Sequence, residues 1–447
     1  MNDNDKRIIL ITGNTETLSY FSKELAFYLY RLGREIFIWD MTKPSASIDA
    51  FATLPDKDRS VLVTFNFIGL NGEGQFGGGL SNIWEEYGIE VISIMVDSPI
   101  YYYRQLDKYR DISVACIDRN HARYVRRWHP YIKNVYFWPL CGNEPILDLW
   151  MKPGIMNDDT IPIMCRKTEL LTDADSLGDH GKCGQENDIN RSQENERPVL
   201  SIDERPIDIV FVANLVTQEG INKSIEGADS EYREFLHDIC EQMIAHPNLV
   251  LEDTLYSRLI EEFPDEPEDS YPEAMFHMVY VDLYVRSHFR ARAVRTLVDA
   301  GYKVYCVGQD WDKLECAHPE NLIHTDVMLT SADCIRALEN SKISLNVMPH
   351  FKAGAHDRVF SSMLAGCGAL TDPSEYLDEV ITPWEDYVPF TLDEPESIIQ
   401  SVCKLRSDRS LMSHISETGR KKAKKSFTWL ATANSILSGG IYEKEKT

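Results

Sequence analysis

The order of apolar and polar positions divides the chain into two stretches of one style. Arg7–Thr12 is a nearly unbroken aliphatic run, the pattern of a strand buried on both faces. Thr17–Leu32 changes period: Leu18, Phe21, Leu25, Leu29 and Leu32 recur at helical spacing, and Gly33 supplies a stop. Glu35–Asp40, Ser60–Phe65, Glu90–Val96, Ile112–Ile117 and Val135–Trp138 read as further strands, with helices at Ile83–Tyr87 and Asn120–Trp128. Strands alternating with helices predict an open parallel sheet covered on both faces. Such sheets carry their functional residues at the carboxyl ends of strands. Here those ends are Gly13–Thr17, Asn66–Gly79, Asp97–Tyr103 and Asp118–His121.

The pattern lapses after residue 145. Asp173–Glu196 is rich in Asp, Gly, Asn, Gln and Ser and poor in aliphatic residues, which predicts a linker. Ile207–Ala213 opens a second α/β unit. Tyr280–Ala300 follows as a long helix with Val281, Tyr284, Val285, Phe289, Val294 and Leu297 on its apolar stripe. Lys303–Val307, Leu322–His324, Ile343–Val347 and Gly368–Thr371 read as strands. Ser331–Asn340, Asp357–Leu364, Glu396–Leu405, Leu411–Lys422 and Trp429–Leu437 read as helices. The expected organisation is a first domain over 1–145, a linker over 146–204, and a second domain over 205–425. The second domain carries a helical insertion at about 226–278, and a terminal helix follows at 426–447.

Composition narrows the function. The 447 residues suffice for two or three domains. No apolar run reaches the length of a membrane span, and the start lacks the longer apolar block of a signal peptide. A cytoplasmic protein is expected. The ten cysteines form no Cys-x-x-Cys pair and no zinc-like cluster, so reduced buried thiols and no metal are expected. A net charge of −25 argues against a nucleic-acid partner. The insertion holds only Arg233 and Arg258 as arginine or lysine between Glu226 and Glu273, and Arg420–Lys425 is a short basic run. Both read as solvated helix faces.

Candidate chemistry concentrates in Leu345–Asp372, which reads as strand, loop, helix, small-residue turn and strand. Gly354 and Ala355 precede the helix and let a ligand approach the backbone. The helix start offers free N–H groups suited to a diphosphate. Arg358 adds a bidentate cation, His356 a donor, and Asn346 ends the preceding strand. Gly308 follows another strand, and Trp311 either covers a base or packs in the core. In the first domain, Asp97 is a candidate general base or a cap ahead of Pro99. Asn14 and His121 stand at strand ends on the acceptor side. Gly77 and Gly78 lie in a glycine-rich segment that is an acceptor loop or a plain turn. Tyr101–Tyr103 form an aromatic platform or pack against the sheet.

These segments together resemble the CgeB-like (spore maturation protein-like) group 1 glycosyltransferases. Arg358-Val359-Phe360, with its small-residue helix and Leu370-Thr371-Asp372, resembles the carboxy-terminal half of that family. Arg205–Val212, Tyr302–Trp311 and Ala337–Asn346 resemble its strands, and Asp97-Ser98-Pro99 with Asp118–Tyr124 resembles its first half. Phe427-Thr428-Trp429 matches the terminal signature with Phe in place of His. The resemblance implies an α/β GT-B fold: two Rossmann-like domains with parallel sheets facing a central cleft. It implies a nucleotide-sugar donor on the second domain, with Thr325 and Val327 reading the base edge, and an acceptor hydroxyl on the first. It implies no cofactor and no metal, and a last helix that crosses back to the first domain. The family usually has Glu where Ser361 stands; Ser361 hydrogen-bonds but cannot accept bidentately. Whether the acceptor is a protein, a glycan or a small molecule is not legible. A GT-B epimerase, or a non-catalytic GT-B protein that binds a partner through the acidic insertion, are the competing expectations.

Overall fold

The computed structural model describes residues 6–70, 83–144, 200–325 and 329–437. The first domain contains β1 (Arg7–Thr12), β2 (Ile36–Asp40), β3 (Ser60–Phe65), β4 (Glu90–Met95), β5 (Ser113–Cys116) and β6 (Asn134–Phe137). They form one parallel sheet in the order β2-β1-β3-β4-β5-β6. The aliphatic runs pair because both faces are covered: Ile9, Leu10, Leu62, Ile94 and Val114 are wholly buried.

The second domain contains β7 (Ile207–Val212), β8 (Val304–Val307), β9 (Leu322–His324), β10 (Ser341–Asn346), β11 (Gly368–Thr371) and β12 (Val388–Pro389). Its parallel sheet runs β12-β11-β10-β7-β8-β9, the doubly wound dinucleotide order. Strand order reverses between β1 and β3 in one sheet and between β7 and β10 in the other. Each reversal leaves a crevice at the carboxyl strand ends.

Four helices escaped the periodicity. Pro44–Thr53, Tyr103–Lys108, Gln218–Asn222 and Glu375–Val380 are helical, yet each buries at most two residues, too few to show a stripe. The insertion folds as helices Ser230–Ala245, Leu251–Glu262 and Tyr271–His277, which lead into the long helix Val279–Asp299. It is not wholly a solvated acidic face. Glu252 is buried against the first domain, 3.4 Å from His121, and accepts a hydrogen bond from the Ser98 hydroxyl. Arg127 reaches Glu268 at 3.1 Å, and Arg123 pairs with Asp253.

The domains also meet through backbone. Asp118 and Gly354 form an antiparallel bridge, and the buried Asp118 carboxylate accepts the Ala353 N–H at 2.9 Å. Helix Trp429–Leu437 lies on helix Glu16–Arg31, with Trp429 5.5 Å from the Phe21 ring centre. The Trp429 indole N–H donates to Asn143 at 2.9 Å.

Helix Glu16–Arg31 buries a polar stripe, Tyr20, Glu24 and Tyr28, at successive turns. Tyr20 donates to the Glu144 carbonyl at 2.8 Å. Burial first, and the neighbouring Glu144 second, push the Glu24 carboxyl up to about 8. The unfolded chain loses this proton near the ordinary value of about 4.3. Folding stability is therefore full below that point and falls as pH rises toward 8. Glu24→Gln keeps the neutral shape, so its melting temperature exceeds the parent's by several degrees at pH 8 and by little at pH 4.5. A gain independent of pH in calorimetry would refute the buried-acid account.

Candidate active site

A cavity of ≈ 470 Å³ lies at the reversal in the first sheet. Ligand pockets commonly span roughly 300–1,000 Å³. Asn14 and Thr17 follow β1, Asn66 follows β3, and Asp97 follows β4; His356 and Asp357 reach it from the second domain.

Asp97 is held from two sides. The Asn66 amide donates to its Oδ2 at 2.9 Å, and the Tyr102 hydroxyl donates to the same oxygen at 3.2 Å. The Asn66 carbonyl oxygen accepts the Val96 N–H at 2.9 Å, so the amide is pinned at both ends. Asn66 and Phe67 adopt φ of 51° and 59°, a left-handed pair of non-glycine residues. Each costs on the order of 1 kcal/mol, a strain typical of a functional loop. The other oxygen, Oδ1, carries no hydrogen bond among the described residues. A carboxylate oxygen with that freedom can take a proton.

The second domain contributes cations. Helix Val279–Asp299 places Arg286 and Arg290 one turn apart, and both neighbour Arg358. Arg358 donates to the Val212 carbonyl, at the end of β7, where the second sheet reverses. Arg286 donates to Asp282 at 2.7 Å and to the Tyr101 hydroxyl at 3.3 Å. Tyr101 itself donates to Asp282, so a first-domain phenol closes this cluster. Burial raises the Asp282 carboxyl, but Arg286 and His350 outweigh it and hold the group below the usual carboxylate range. Arg290 makes no hydrogen bond or ion pair among the described residues, and its Nε is buried without a partner. Burial, then Arg358 and Arg286, drive its pKa well below the ordinary guanidinium value. Three guanidiniums thus share two carboxylates, Asp282 and Asp357. Such an excess of half-buried positive charge suits a dianion.

His356 caps helix Asp357–Leu364. Its Nδ1 stands 2.6 Å from Asp357 Oδ1 and its Nε2 2.9 Å from Arg358 Nη2. Burial, then Arg358, lowers the ring's pKa, so it is neutral at pH 7. Nδ1 also faces the Arg358 backbone N–H at 3.4 Å and its Nε at 3.1 Å, so the tautomer decides whether Nδ1 donates to Asp357 or accepts from Arg358. Burial raises the Asp357 carboxyl, but His356 and Arg358 outweigh it and keep it ionised.

The other sequence candidates divide. Asn14 is on the cavity rim. Asn346 ends β10 and donates to Thr371 at 2.8 Å, while its carbonyl oxygen is buried without a partner. The Thr325 hydroxyl is likewise buried and unpartnered. Gly308 has φ 154°, and a Cβ there would meet the Ala213 carbonyl. Trp311 is in the core, edge-on to Phe211, with its N–H on the Ala213 carbonyl at 2.6 Å. It packs rather than covers a base. Gly354 faces protein: a Cβ would lie 2.3 Å from the Ile117 carbonyl oxygen. Ala355 is wholly buried. Ser361 accepts the Asn143 N–H at 2.9 Å and donates to the Asp357 carbonyl at 3.0 Å. Its hydroxyl serves the domain junction. His121 faces Glu252 and is absent from the cavity lining. Gly77, Gly78 and Val327 lie outside the described residues. Sequence reading missed Arg286 and Arg290, and named Asn66 and Tyr102 only as members of the segments Asn66–Gly79 and Tyr101–Tyr103. Arginines four apart on the polar side of the long helix were the available signal for the first two.

Among the described residues no three His, Cys, Asp or Glu gather as a metal site, and no helix is long and apolar enough to cross a membrane. Two Rossmann-like parallel-sheet domains meeting across such a cleft define the GT-B fold. Residues 286–438 match the family described as Glycosyl transferase-like. That stretch begins at Arg286 and includes Arg290, His356 and Arg358. Sucrose-phosphate synthase from Thermosynechococcus elongatus is similar in structure at TM-score 0.50 and 10% identity, covering 97% of this chain and 98% of its own. T4 phage BGT in complex with its UDP-glucose substrate also gives 0.50 at 10% identity, covering 98% and 99%. At that identity the likeness is one of fold. No curated protein matches the chain in sequence.

Proposed function

We propose that this protein transfers a sugar from a nucleotide-diphosphate donor to an acceptor hydroxyl, and does so without a metal. The observation that carries this reading is the surplus of guanidinium charge where the second sheet reverses, with Asp97 across the cleft. Arg286, Arg290 and Arg358 neutralise the diphosphate as it leaves, the task a cation otherwise performs. The N-terminus of helix Asp357–Leu364 adds its partial positive charge. His356 holds Arg358 in place, and Asn66 and Tyr102 aim Asp97 at the acceptor. The glycosyl transferase-like stretch supports the reaction class. The order of motifs supports the CgeB-like subgroup within it.

A thermal-shift panel of UDP, GDP, ADP, CDP and dTDP tests the donor site. One nucleoside diphosphate at about 100 times its Kd raises stability by roughly 2.7 kcal/mol. Its sugar conjugate is then hydrolysed slowly in the absence of acceptor. No stabilisation by any member of the panel would sink the reading.

A further inference from the structure

We propose that Glu252 is a positioning residue for the catalytic base: from the second domain it fixes the Ser98–Tyr102 turn, and the Tyr102 hydroxyl then holds Asp97 in its aim. This rests on the sugar-transfer reading, in which Asp97 takes the acceptor's proton. Glu252 lies in the first turn of helix Leu251–Glu262, on the insertion. It is buried against the first domain and accepts from the Ser98 hydroxyl. The same Ser98 oxygen caps the Pro99–Tyr102 turn, facing the Ile100 N–H at 3.5 Å. Tyr102 ends that turn, with its hydroxyl 3.2 Å from Asp97 Oδ2. One hydrogen bond from the insertion thus reaches the turn that aims the carboxylate.

The neighbouring residues divide in the same way. Tyr101 donates to Asp282. Tyr103 and Arg104 lie against Phe276 of helix Tyr271–His277, at 6.2 Å and 5.1 Å. Tyr102 turns the other way, onto Asp97 and the Phe67 ring at 5.5 Å. The second domain grips this segment at Glu252, Phe276 and Asp282, so the base is set when the domains meet. Packing alone does not account for a carboxyl at residue 252. One of its oxygens is buried without a hydrogen bond, and His121 stands 3.4 Å from the other. Burial raises the group above the usual carboxylate range, and His121 and Ser98 offset this only in part. A buried group so poorly satisfied costs stability that an apolar side chain would not.

The test measures hydrolysis of UDP-glucose, UDP-N-acetylglucosamine, GDP-mannose, ADP-glucose, CDP-glucose and dTDP-glucose by the full chain. Water is the acceptor: its oxygen bonds to the anomeric carbon and its proton passes to Asp97 Oδ1. The bond from that carbon to the diphosphate breaks, and the electron pair leaves on the phosphate oxygen. On the best substrate Glu252→Leu lowers kcat about 10–100-fold, the cost of a small misplacement of a reacting group, and leaves the Kd of the matching nucleoside diphosphate unchanged. Glu252→Gln restores most of the loss, because its amide oxygen still accepts from Ser98. Tyr102→Phe lowers kcat by itself, and adding it to Glu252→Leu costs little more, since both act through one hydrogen bond. Should Glu252→Leu fail to fold, Ser98→Ala removes the same contact and carries the same expectations. A kcat equal to the parent's overturns the inference, as does a Glu252→Gln variant as slow as Glu252→Leu. So do losses that multiply in the double variant, or a nucleotide Kd that rises as kcat falls; either makes Glu252 a brace of the domain junction only. A parent that hydrolyses none of these donors refutes the sugar-transfer reading, and this role with it. An active parent with unaffected variants refutes this role alone.

Discussion

Asp97→Asn lowers kcat by roughly 10²–10⁴-fold, the usual worth of a positioned general base, and leaves donor affinity unchanged. The substitution is nearly isosteric. The amide oxygen can take the place of Oδ2 and still accept from Asn66 and Tyr102. The loop that carries Asn66 and Phe67 at positive φ therefore keeps its conformation. What disappears is the free oxygen that receives the acceptor's proton. Donor binding rests on the second domain, across the cleft, and is separable by titration. A variant that retains most of its kcat would show that Asp97 only ends a strand. A variant that loses donor affinity as well would place the carboxylate nearer the diphosphate than the geometry does.

Arg290→Met weakens nucleoside diphosphate binding by roughly 10–100-fold, the worth of a charge-assisted hydrogen bond of about 1.5–3 kcal/mol. The same variant melts higher than the parent when no ligand is bound. Both effects have one cause. In the free protein Arg290 makes no hydrogen bond or ion pair among the described residues and faces two other guanidiniums. An unsatisfied buried donor costs about 1–3 kcal/mol. Methionine preserves the unbranched stem and removes both the orphan donor and the repulsion. Each kcal/mol recovered is worth a few degrees in a domain of this size. Scanning calorimetry and nucleotide titration on the same preparation read the two signs. A lower melting temperature with unchanged affinity would make Arg290 a structural residue. Arg286 is no substitute for this experiment, since it is committed to Asp282 and Tyr101 across the domain junction.

The competing expectation of a non-catalytic protein docking through its acidic insertion has less free surface than the composition suggested. Glu252, Asp253 and Glu268 turn toward His121, Arg123 and Arg127 of the first domain. The exposed pairs among these contribute little stability. They do account for acidic residues that composition alone assigns to solvent.

Period and punctuation were enough to read every strand of the parallel sheets except the two-residue Val388–Pro389, because a strand buried on two faces must be aliphatic throughout. Arg7–Thr12, Ser60–Phe65 and Ile207–Val212 show this directly. The start of helix Asp357–Leu364 was equally legible, since a polar cap followed by an apolar stripe is a local signal. The roles of several residues were decided only by what the folded chain brings beside them. Gly354 looked like space for a ligand and is space for the Ile117–Asp118 backbone. Trp311 looked like a base cover and lies in the core against Phe211. Arg286 and Arg290 lie off the apolar stripe of their helix and drew no reading, yet they stand beside Arg358, far along the chain. Local spacing determines which way a side chain faces along its own helix or strand. Which charge, carbonyl or cavity waits there depends on the order of strands in two sheets and on how the domains meet, and neither is encoded in the spacing of neighbouring residues.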